Sequence, residues 1–355
     1  MASTLFDGIT ARRVPTTRYT ANVLERAAEH PTATVVFVHG NVSSAAFYQP
    51  SMLALPAGVR ALAIDLRGFG DSETKPVDAA RGLRDFADDV RSVLDALELE
   101  QVHLVGWSMG GGVVMQVALD APGRVASLTL EAPVSPYGFG GTHGADGVRN
   151  DADGAGTGGG GANPDFVARL DAGDASADAQ TSPRTVYRSS YVAKPELQAA
   201  HEDAWVASML TTRTGLDNYP GDSVVSENWP GFAAGMRGVL NTMAPQHLDL
   251  SGIVDLAVKP PILWVHGGKD AIVSDASFFD LNQLGLLGII PGWPGAEVAP
   301  PQPMVTQTRA VLDRYAANGG SYREVSLPDA GHAPHLDEAE TFDRELAAHI
   351  GIPST

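Results

Sequence analysis

Short apolar runs rich in β-branched residues recur along the first third of the chain. Residues 34–38, 60–65 and 102–105 are each too short for a buried helix, so they predict buried strands. Residues 83–97 instead carry apolar side chains at helical spacing with charged residues on the opposite face, which predicts an amphipathic helix. The alternation continues to residue 130 and predicts an α/β fold, with a mostly parallel sheet covered by helices on both faces.

The alternation stops at Pro133 and gives way to a different composition. Residues 138–162 are a tract of Gly, Asp and Ala with almost nothing to bury, which predicts a flexible or loop-forming excursion. Helical and irregular signals follow as far as Met243, with Trp and Tyr supplying apolar bulk among Pro and Gly. We therefore expect residues 134–248 to form a mainly helical lid inserted into the main fold.

Strand character returns in the last third of the chain. Residues 261–266 and 322–327 predict two more strands, and residues 339–350 predict an amphipathic helix. The predicted α/β core thus consists of residues 1–133 and 249–355, and it closes around the inserted lid.

The charge balance restricts the partners. The chain has 24 Lys and Arg against 42 Asp and Glu, a formal net charge of -18, so its surface should repel nucleic acid phosphates and anionic lipid headgroups. We expect a small-molecule substrate, and neither nucleic acid nor a membrane as partner.

The sequence has no cysteine, which excludes disulfides, thiolate metal sites and a cysteine nucleophile. It shows no leader pattern and no run of about 20 apolar residues, which predicts a soluble, cytoplasmic protein.

The segment Gly106-Trp107-Ser108-Met109-Gly110 matches the G-x-S-x-G pattern of a nucleophile elbow. It lies between a predicted buried strand and a predicted helix, which is the context that the pattern requires. The sharp turn would strain the backbone of Ser108, and side chains at positions 106 and 110 would collide with neighbouring chain. The Ser108 hydroxyl is therefore expected at the carboxyl edge of the sheet and the positive end of a helix, where negative charge is favoured.

Three further motifs accompany the elbow along the chain: His39-Gly40-Asn41, the segment from Asp65 to Ser72, and Gly331-His332. In order and spacing the four motifs resemble the α/β-hydrolase family, as an esterase-like member with a serine nucleophile and a lid insertion. The resemblance covers nearly the whole chain outside the lid. It implies a triad of serine, acid and histidine in that chain order, with an oxyanion hole built from two backbone amides.

Ser108 is the predicted nucleophile, and its general base should be a histidine on the loop after the last strand. His332 lies there in a Gly-His context similar to the family motif, and His335 is its nearest competitor. Asp270 follows the strand at residues 261–266 through a tight turn, so it is predicted to be the acid that orients the imidazole. Glu131 stays open as an alternative acid because it ends the preceding strand.

The predicted oxyanion hole consists of the backbone amides of Met109 and Asn41. Met109 follows the nucleophile directly, and the family resemblance gives Asn41 the second position. Trp107, Phe47 and Tyr48 are predicted to line the substrate pocket at the same edge of the sheet.

These residues predict a carboxylesterase-like serine hydrolase that cleaves a carboxylic ester or lactone of a small to medium, largely apolar substrate. The sequence contains no dinucleotide fingerprint, phosphate loop or zinc motif, so neither a cofactor nor a metal is expected. The same triad would also serve carbon–carbon bond or amide hydrolysis, or perhydrolysis, and a ligand-binding receptor on this fold is a rival of another class. The apolar residues 281–293 would either wall the pocket or form a homodimer contact.

Overall fold

The computed structural model describes residues 5–351 of the chain. Its central sheet has eight strands: β1 (Thr10–Pro15), β2 (Thr20–Arg26), β3 (Ala33–Val38), β4 (Val59–Ile64), β5 (Val102–Trp107), β6 (Val125–Glu131), β7 (Ile262–Gly267) and β8 (Tyr322–Leu327). Their spatial order is β1-β2-β4-β3-β5-β6-β7-β8. β2 runs antiparallel to both β1 and β4, and the pairings from β4 to β8 are parallel. The predicted mostly parallel sheet is confirmed.

The register of the sheet brings several strand ends to one edge. Val38 of β3 lies opposite Gly106 of β5, and Trp107 of β5 lies opposite Glu131 of β6. Because these parallel strands finish together, the residues that follow them meet at the carboxyl edge, and Ser108 is one of them.

Helices cover both faces of this sheet. The α-helices of the described residues, including those outside these two faces, are α1 (Gln49–Ala54), α2 (Arg84–Ala96), α3 (Met109–Asp120), α4 (Pro164–Asp171), α5 (Pro183–Val186), α6 (Glu202–Met209), α7 (Leu281–Leu286), α8 (Met304–Ala317), α9 (Pro334–Asp337) and α10 (Ala339–His349). α2 packs on α3, and the 3-10 turn Ser251–Asp255 contacts both α3 and α8. α1 packs on α10, and α10 lies against β7. Within residues 5–351, no helix is both long and apolar enough to span a bilayer.

β1 and α8 are among the elements that the hydrophobic pattern does not predict. β1 is an edge strand in which only Val14 is buried, so it carries no apolar run. The buried face of α8 includes Gln307 and Thr308, and these polar residues break the apolar periodicity. In both cases the tertiary partners, rather than the local pattern, stabilise the element.

Residues 134–248, called here the cap segment, lie between β6 and β7. They contain the short helices α4, α5 and α6 and the π turn Tyr187–Tyr191. They also form three two-stranded ladders that the sequence pattern does not predict, among them Ser223–Val225 paired with Phe232–Ala234. The cap segment is therefore a mosaic of short elements.

The Gly-rich tract at residues 138–162 consists mainly of turns and loops, and several of its residues, Gly138, Gly140 and Thr142 among them, are buried. The side chain of Gln302 donates to Gly138 O at 3.1 Å and accepts from Gly140 N at 2.5 Å. Gln307 Nε2 donates to Thr142 Oγ1 at 3.1 Å. Buried amide side chains thus satisfy the backbone of a tract that has little apolar surface of its own. Composition does not reveal this, because both glutamines come much later in the chain.

Candidate active site

Ser108 lies at the turn between β5 and α3. Its backbone has φ 57° and ψ -119°, a conformation that residues with a side chain rarely adopt. Backbone hydrogen bonds hold this turn: Ser108 N donates to Glu131 O at 2.9 Å, and Gly111 N and Val134 N each donate to Ser108 O at 3.0 Å. The strained turn predicted from the G-x-S-x-G pattern is therefore present, and it places Ser108 directly before the first turn of α3.

Close packing requires both glycines of the elbow. A Cβ atom on Gly106 would lie 2.3 Å from Gly110 O, and one on Gly110 would lie 2.2 Å from Val38 O. Both neighbours are backbone atoms that cannot move aside without displacing a strand or the helix. The collisions predicted at positions 106 and 110 are thus confirmed.

Asp270 and His332 form a buried hydrogen-bonded pair. The distance from His332 Nδ1 to Asp270 Oδ2 is 2.8 Å, and the side chains are 3% and 0% exposed. The other carboxylate oxygen, Asp270 Oδ1, accepts from Ile272 N at 2.7 Å and from Val273 N at 2.9 Å. These bonds fix the carboxylate as an acceptor, so His332 Nδ1 carries a proton and Nε2 is left as the basic nitrogen.

Glu131, the alternative acid, is bound to a different histidine. Glu131 Oε1 lies 2.8 Å from His335 N and 2.7 Å from His335 Nδ1, and Tyr48 OH donates to Oε2 at 3.2 Å. Burial and the Glu131 carboxylate raise the pKa of Tyr48 well above its ordinary value, which keeps this phenol a donor. The site therefore contains two separate pairs of histidine and carboxylate. Within the described part of the chain, no three His, Asp or Glu side chains are grouped as metal ligands would be.

A cavity of about 490 Å³ adjoins Ser108 and His332, which both line it. Its apolar walls come from the cap segment and from the chain after β7: Val134, Phe139, Phe166, Leu240, Met243, Ile272, Phe278, Phe279, Leu281 and Leu284. No Asp, Glu, Lys or Arg is found among the lining residues of this cavity within residues 5–351. A charged ligand group would lose its hydration here without gaining an ionic partner, so the cavity suits an uncharged molecule.

Trp107, Phe47 and Tyr48 do not line this cavity, and their assignment as pocket residues is wrong. All three are at most 1% exposed and lie in the hydrophobic core. The Phe47 ring centroid lies 5.3 Å from that of Trp107, and the Trp107 indole N–H donates to His332 O at 2.7 Å. Side chains alternate between the two faces of a strand, so Trp107 at the end of β5 points away from the substrate side, whereas Phe47 and Tyr48 are buried from the 3-10 turn Ala45–Tyr48.

The apolar residues 281–293 contribute to the cavity with part of their surface. Leu281 and Leu284 of α7 line the cavity. Leu287 and Ile289, just beyond this helix, are 49% and 61% exposed. The segment is therefore a wall of the cavity, as one of the two sequence-based hypotheses proposes, and the homodimer contact stays a prediction.

The two residues predicted to supply oxyanion donors flank the site. Asn41 lines the cavity, and Met109 is the first residue of α3, directly after Ser108. The Asn41 side chain is not needed to cap the next turn, because Ser44 Oγ accepts from Ala46 N. Asn41 Oδ1 is buried and has no partner among the residues that the structure describes.

His39, in the motif His39-Gly40-Asn41, stabilises the loop before α1 by hydrogen bonds. Its Nε2 accepts from Leu66 N at 3.0 Å, and its Nδ1 bonds to Gly40 O at 2.7 Å. Burial lowers the pKa of His39 to about 4, so this imidazole is neutral. Asp65 accepts from Ala45 N at 2.8 Å, and burial raises the pKa of its carboxyl to about 6. Both side chains therefore hold the loops near the site in place.

Tyr191, at the end of the π turn, is a site residue that the sequence does not reveal. Its hydroxyl lies 3.1 Å from both Asn41 O and Val42 O, and its own carbonyl accepts from Ala333 N at 2.8 Å. The ring lines the cavity and packs edge-on to His332, with centroids 6.2 Å apart. Tyr191 thus joins the cap segment to both the Asn41 loop and the His332 loop. No local motif marks it, because its hydroxyl contacts a loop about 150 residues earlier in the chain.

Comparison with known proteins decides the family. The model of the alpha/beta hydrolase fold family matches residues 33–298. The chain belongs to the α/β-hydrolase fold family. The resemblance inferred from the four motifs is thereby confirmed. As a member of this family, the chain combines an eight-stranded sheet with a strained serine turn before α3 and a histidine loop after β8.

The curated relatives match only part of the chain. RutD of Variovorax paradoxus, named as a candidate carbamate hydrolase, is 47% identical over 97 residues, which are 27% of this chain and 36% of RutD. The 2-hydroxymuconate semialdehyde hydrolase of Pseudomonas sp. is 39% identical over 99 residues, 27% of this chain and 35% of that protein. The chain therefore spans about a third of the length of these relatives.

Solved structures match over nearly the whole chain but at low identity. An esterase from Exiguobacterium antarcticum is 18% identical, with a TM-score of 0.58 over 96% of this chain and 99% of that one. The enol-lactonase from Burkholderia xenovorans LB400 is 16% identical, with a TM-score of 0.58 and the same two coverages. These likenesses show the α/β-hydrolase fold.

Proposed function

We propose that this α/β-hydrolase cleaves a carboxylic ester or lactone of a small to medium, uncharged and largely apolar substrate through an acyl-enzyme. The observation that carries the proposal is the buried Asp270–His332 pair beside the same cavity as Ser108 on its strained turn. A nucleophile, a base and an orienting acid are the parts that acyl transfer needs.

In the proposed reaction, Ser108 Oγ attacks the carbonyl carbon while His332 Nε2 takes the hydroxyl proton. Asp270 holds the opposite ring nitrogen and stabilises the imidazolium that forms. The developing oxyanion accepts hydrogen bonds from the backbone amides of Met109 and Asn41, and the positive end of α3 favours its charge. His332 then gives the proton to the leaving alcohol, and water releases the acyl group by the same route in reverse.

The uncharged cavity favours substrates without a carboxylate over substrates that carry one. The Pseudomonas relative is named for a semialdehyde of 2-hydroxymuconate, which is a carboxylate. Of the described lining residues of this cavity, none is Lys or Arg, so such a group would have no cationic partner. This observation supports ester or lactone cleavage rather than carbon–carbon cleavage of that kind of substrate.

The test is hydrolysis of 4-nitrophenyl acetate, butyrate and octanoate by the wild type, by Ser108→Ala and by Ser321→Ala. Ser321 is an exposed serine beside the start of β8, so its variant is the matched control. We expect Ser108→Ala to lose turnover by about 10³-fold or more and to lose labelling by a fluorophosphonate, whereas Ser321→Ala keeps both. Turnover that survives in Ser108→Ala would contradict the serine mechanism. Labelling of the wild type without ester turnover would favour amide or carbon–carbon hydrolysis, and stoichiometric binding without either signal would favour a receptor.

Substrate charge is tested with a pair of esters of equal acyl length, 4-nitrophenyl butyrate and 4-nitrophenyl hemisuccinate. Because the second carries a carboxylate into the uncharged cavity, we expect its kcat/KM to be lower by about 100-fold or more. Equal kcat/KM values for the two esters would contradict the proposed preference for uncharged substrates.

A further inference from the structure

The pair of Glu131 and His335 has no part in the reaction described above. Both side chains are fully buried, and neither residue lines the cavity within the described part of the chain. A buried carboxylate is unfavourable unless donors compensate the lost hydration, and Glu131 has three such donors, two from His335 and one from Tyr48. Such a fully bonded group ties together the elements that supply its partners.

Glu131 is bonded both to the serine turn and to the histidine loop. Its backbone carbonyl, at the end of β6, accepts from Ser108 N at 2.9 Å. Its carboxylate accepts from the backbone and the ring of His335, three residues after His332, at 2.8 and 2.7 Å. Glu131 thus links the backbone of the nucleophile directly to the loop that carries the base.

Trp107 holds the other end of the same short segment. The indole N–H of Trp107 donates to His332 O at 2.7 Å. The Trp107 ring packs against both imidazoles, with centroids 5.5 Å from His332 and 5.2 Å from His335. Residues 332–335 are therefore held at one end by Trp107, which precedes Ser108, and at the other end by Glu131, whose carbonyl accepts from Ser108 N.

We propose that Glu131 is a positioning residue, which through His335 holds the His332 loop in register with Ser108. The inference rests on the proposed serine mechanism and assigns Glu131 a role other than that of the triad acid. Release of one end of residues 332–335 would let the His332 ring drift from the nucleophile, and a shift of about 1 Å is enough to lower a rate by about 100-fold.

The contacts of His335 show that Glu131 provides one acceptor oxygen, Oε1, for both the backbone and the ring of this histidine. His335 Nε2 is buried without a partner among the described residues, so a proton there would be an unsatisfied donor. The ring proton that bonds to Glu131 therefore lies on Nδ1. A glutamine at position 131 keeps a carbonyl oxygen to accept both His335 bonds and loses only the acceptor of the longer Tyr48 OH bond. Glu131→Gln should consequently keep the two hydrogen bonds to His335, whereas Glu131→Ala removes them.

The experiment compares Glu131→Gln, Glu131→Ala and Asp270→Asn on 4-nitrophenyl butyrate, with His103→Gln as control. His103 is a histidine of β5 that bonds to Ser127 Oγ at 2.8 Å, outside the site. We expect kcat to fall about 10- to 100-fold in Glu131→Ala with KM within about twofold, and to stay within about threefold in Glu131→Gln. Asp270→Asn should fall by about 10³- to 10⁴-fold. His103→Gln should match the wild type.

A Glu131→Gln variant as inactive as Asp270→Asn would make Glu131 an acid of the triad and overturn the proposal. Wild-type kcat in a folded Glu131→Ala variant would overturn it as well. Hydrogen–deuterium exchange of a peptide spanning residues 328–338 gives a readout without turnover: exchange should rise in Glu131→Ala and not in Glu131→Gln. If the wild type lacks ester turnover, the proposed function fails. The exchange result still decides whether Glu131 holds the His332 loop in place.

Discussion

At the scale of single residues, long-range polar contacts place the groups of the site. Asp270 and His332 are separated by 62 positions in sequence, and Glu131 and His335 by 204. Which carboxylate meets which imidazole is therefore set by how the loops pack at the edge of the sheet. The position of Tyr191 has the same origin, since its hydroxyl contacts a loop 150 residues earlier.

The Tyr191 hydroxyl provides a prediction at this scale. Tyr191→Phe keeps the ring against His332 but removes the donor to the Asn41 loop, so the oxyanion donor there should be less well fixed. Loss of one neutral hydrogen bond corresponds to a decrease of roughly 3- to 10-fold in kcat, with KM within about twofold. Steady-state kinetics on 4-nitrophenyl butyrate measures both values.

A matched control for Tyr191→Phe is Tyr315→Phe. The Tyr315 hydroxyl donates to Pro260 O at 2.6 Å, away from the cavity, so this variant loses a buried hydrogen bond without touching the site. It should lower stability and leave kcat unchanged. The interpretation of Tyr191 would be wrong if the two variants had the same kcat.

At the scale of elements, the strand, turn and helix around Ser108 form a unit that tolerates no additional atoms. Backbone of α3 lies where a side chain at position 106 would be, and backbone at the end of β3 lies where a side chain at position 110 would be. Such close approach brings Ser108 to the edge of the sheet, and it explains why the elbow can be recognised from five consecutive residues.

The prediction for this unit concerns stability. Gly106→Ala would place a Cβ atom 2.3 Å from Gly110 O, so we expect the free energy of unfolding to fall by about 1–3 kcal/mol or more, with loss of activity. Gly123→Ala is the control, because a Cβ there meets nothing within 4 Å. Its free energy of unfolding should change by no more than about 0.5 kcal/mol. Urea denaturation compares the two, and equal stabilities would contradict the packing argument.

At the scale of the whole molecule, buried titratable groups set the response to acid. Burial lowers the pKa of His349 from 6.5 to about 4, and its Nε2 lies 3.0 Å from Leu128 O on β6. Burial raises the pKa of Asp280 and of Asp343 to about 6. The histidine therefore destabilises the fold as pH falls, whereas the two carboxyl groups have the opposite effect over part of the same range.

The sign for His349 follows from the protons bound in each state. Below about pH 6.5 the unfolded chain binds a proton on His349 that the folded state excludes until about pH 4, so stability is lost as pH falls between these values. Between pH 7 and pH 4.5 this loss is roughly 2 kcal/mol. His349→Gln, which keeps a donor for Leu128 O, should remove that part of the pH dependence. Denaturant unfolding at the two pH values measures it, and an unchanged dependence in the variant would contradict the assignment.

The sequence by itself determined the features whose evidence is local. The buried strands and amphipathic helices show as apolar periodicity, and the elbow shows as two glycines around Ser108, because each depends on residues that are neighbours in the chain. The position of His332 after the last strand was predictable for the same reason. The fold class and the family followed from these local patterns.

Only the tertiary structure decided which groups meet. It paired His332 with Asp270 and His335 with Glu131, turned Trp107, Phe47 and Tyr48 into the core, and built the cavity from Phe278, Leu284 and the cap segment. It also ordered the Gly-rich tract through glutamines far along the chain. The physical reason is that hydrogen bonds and van der Waals contacts act over a few ångströms in space, whereas their partners here lie tens to hundreds of residues apart in sequence.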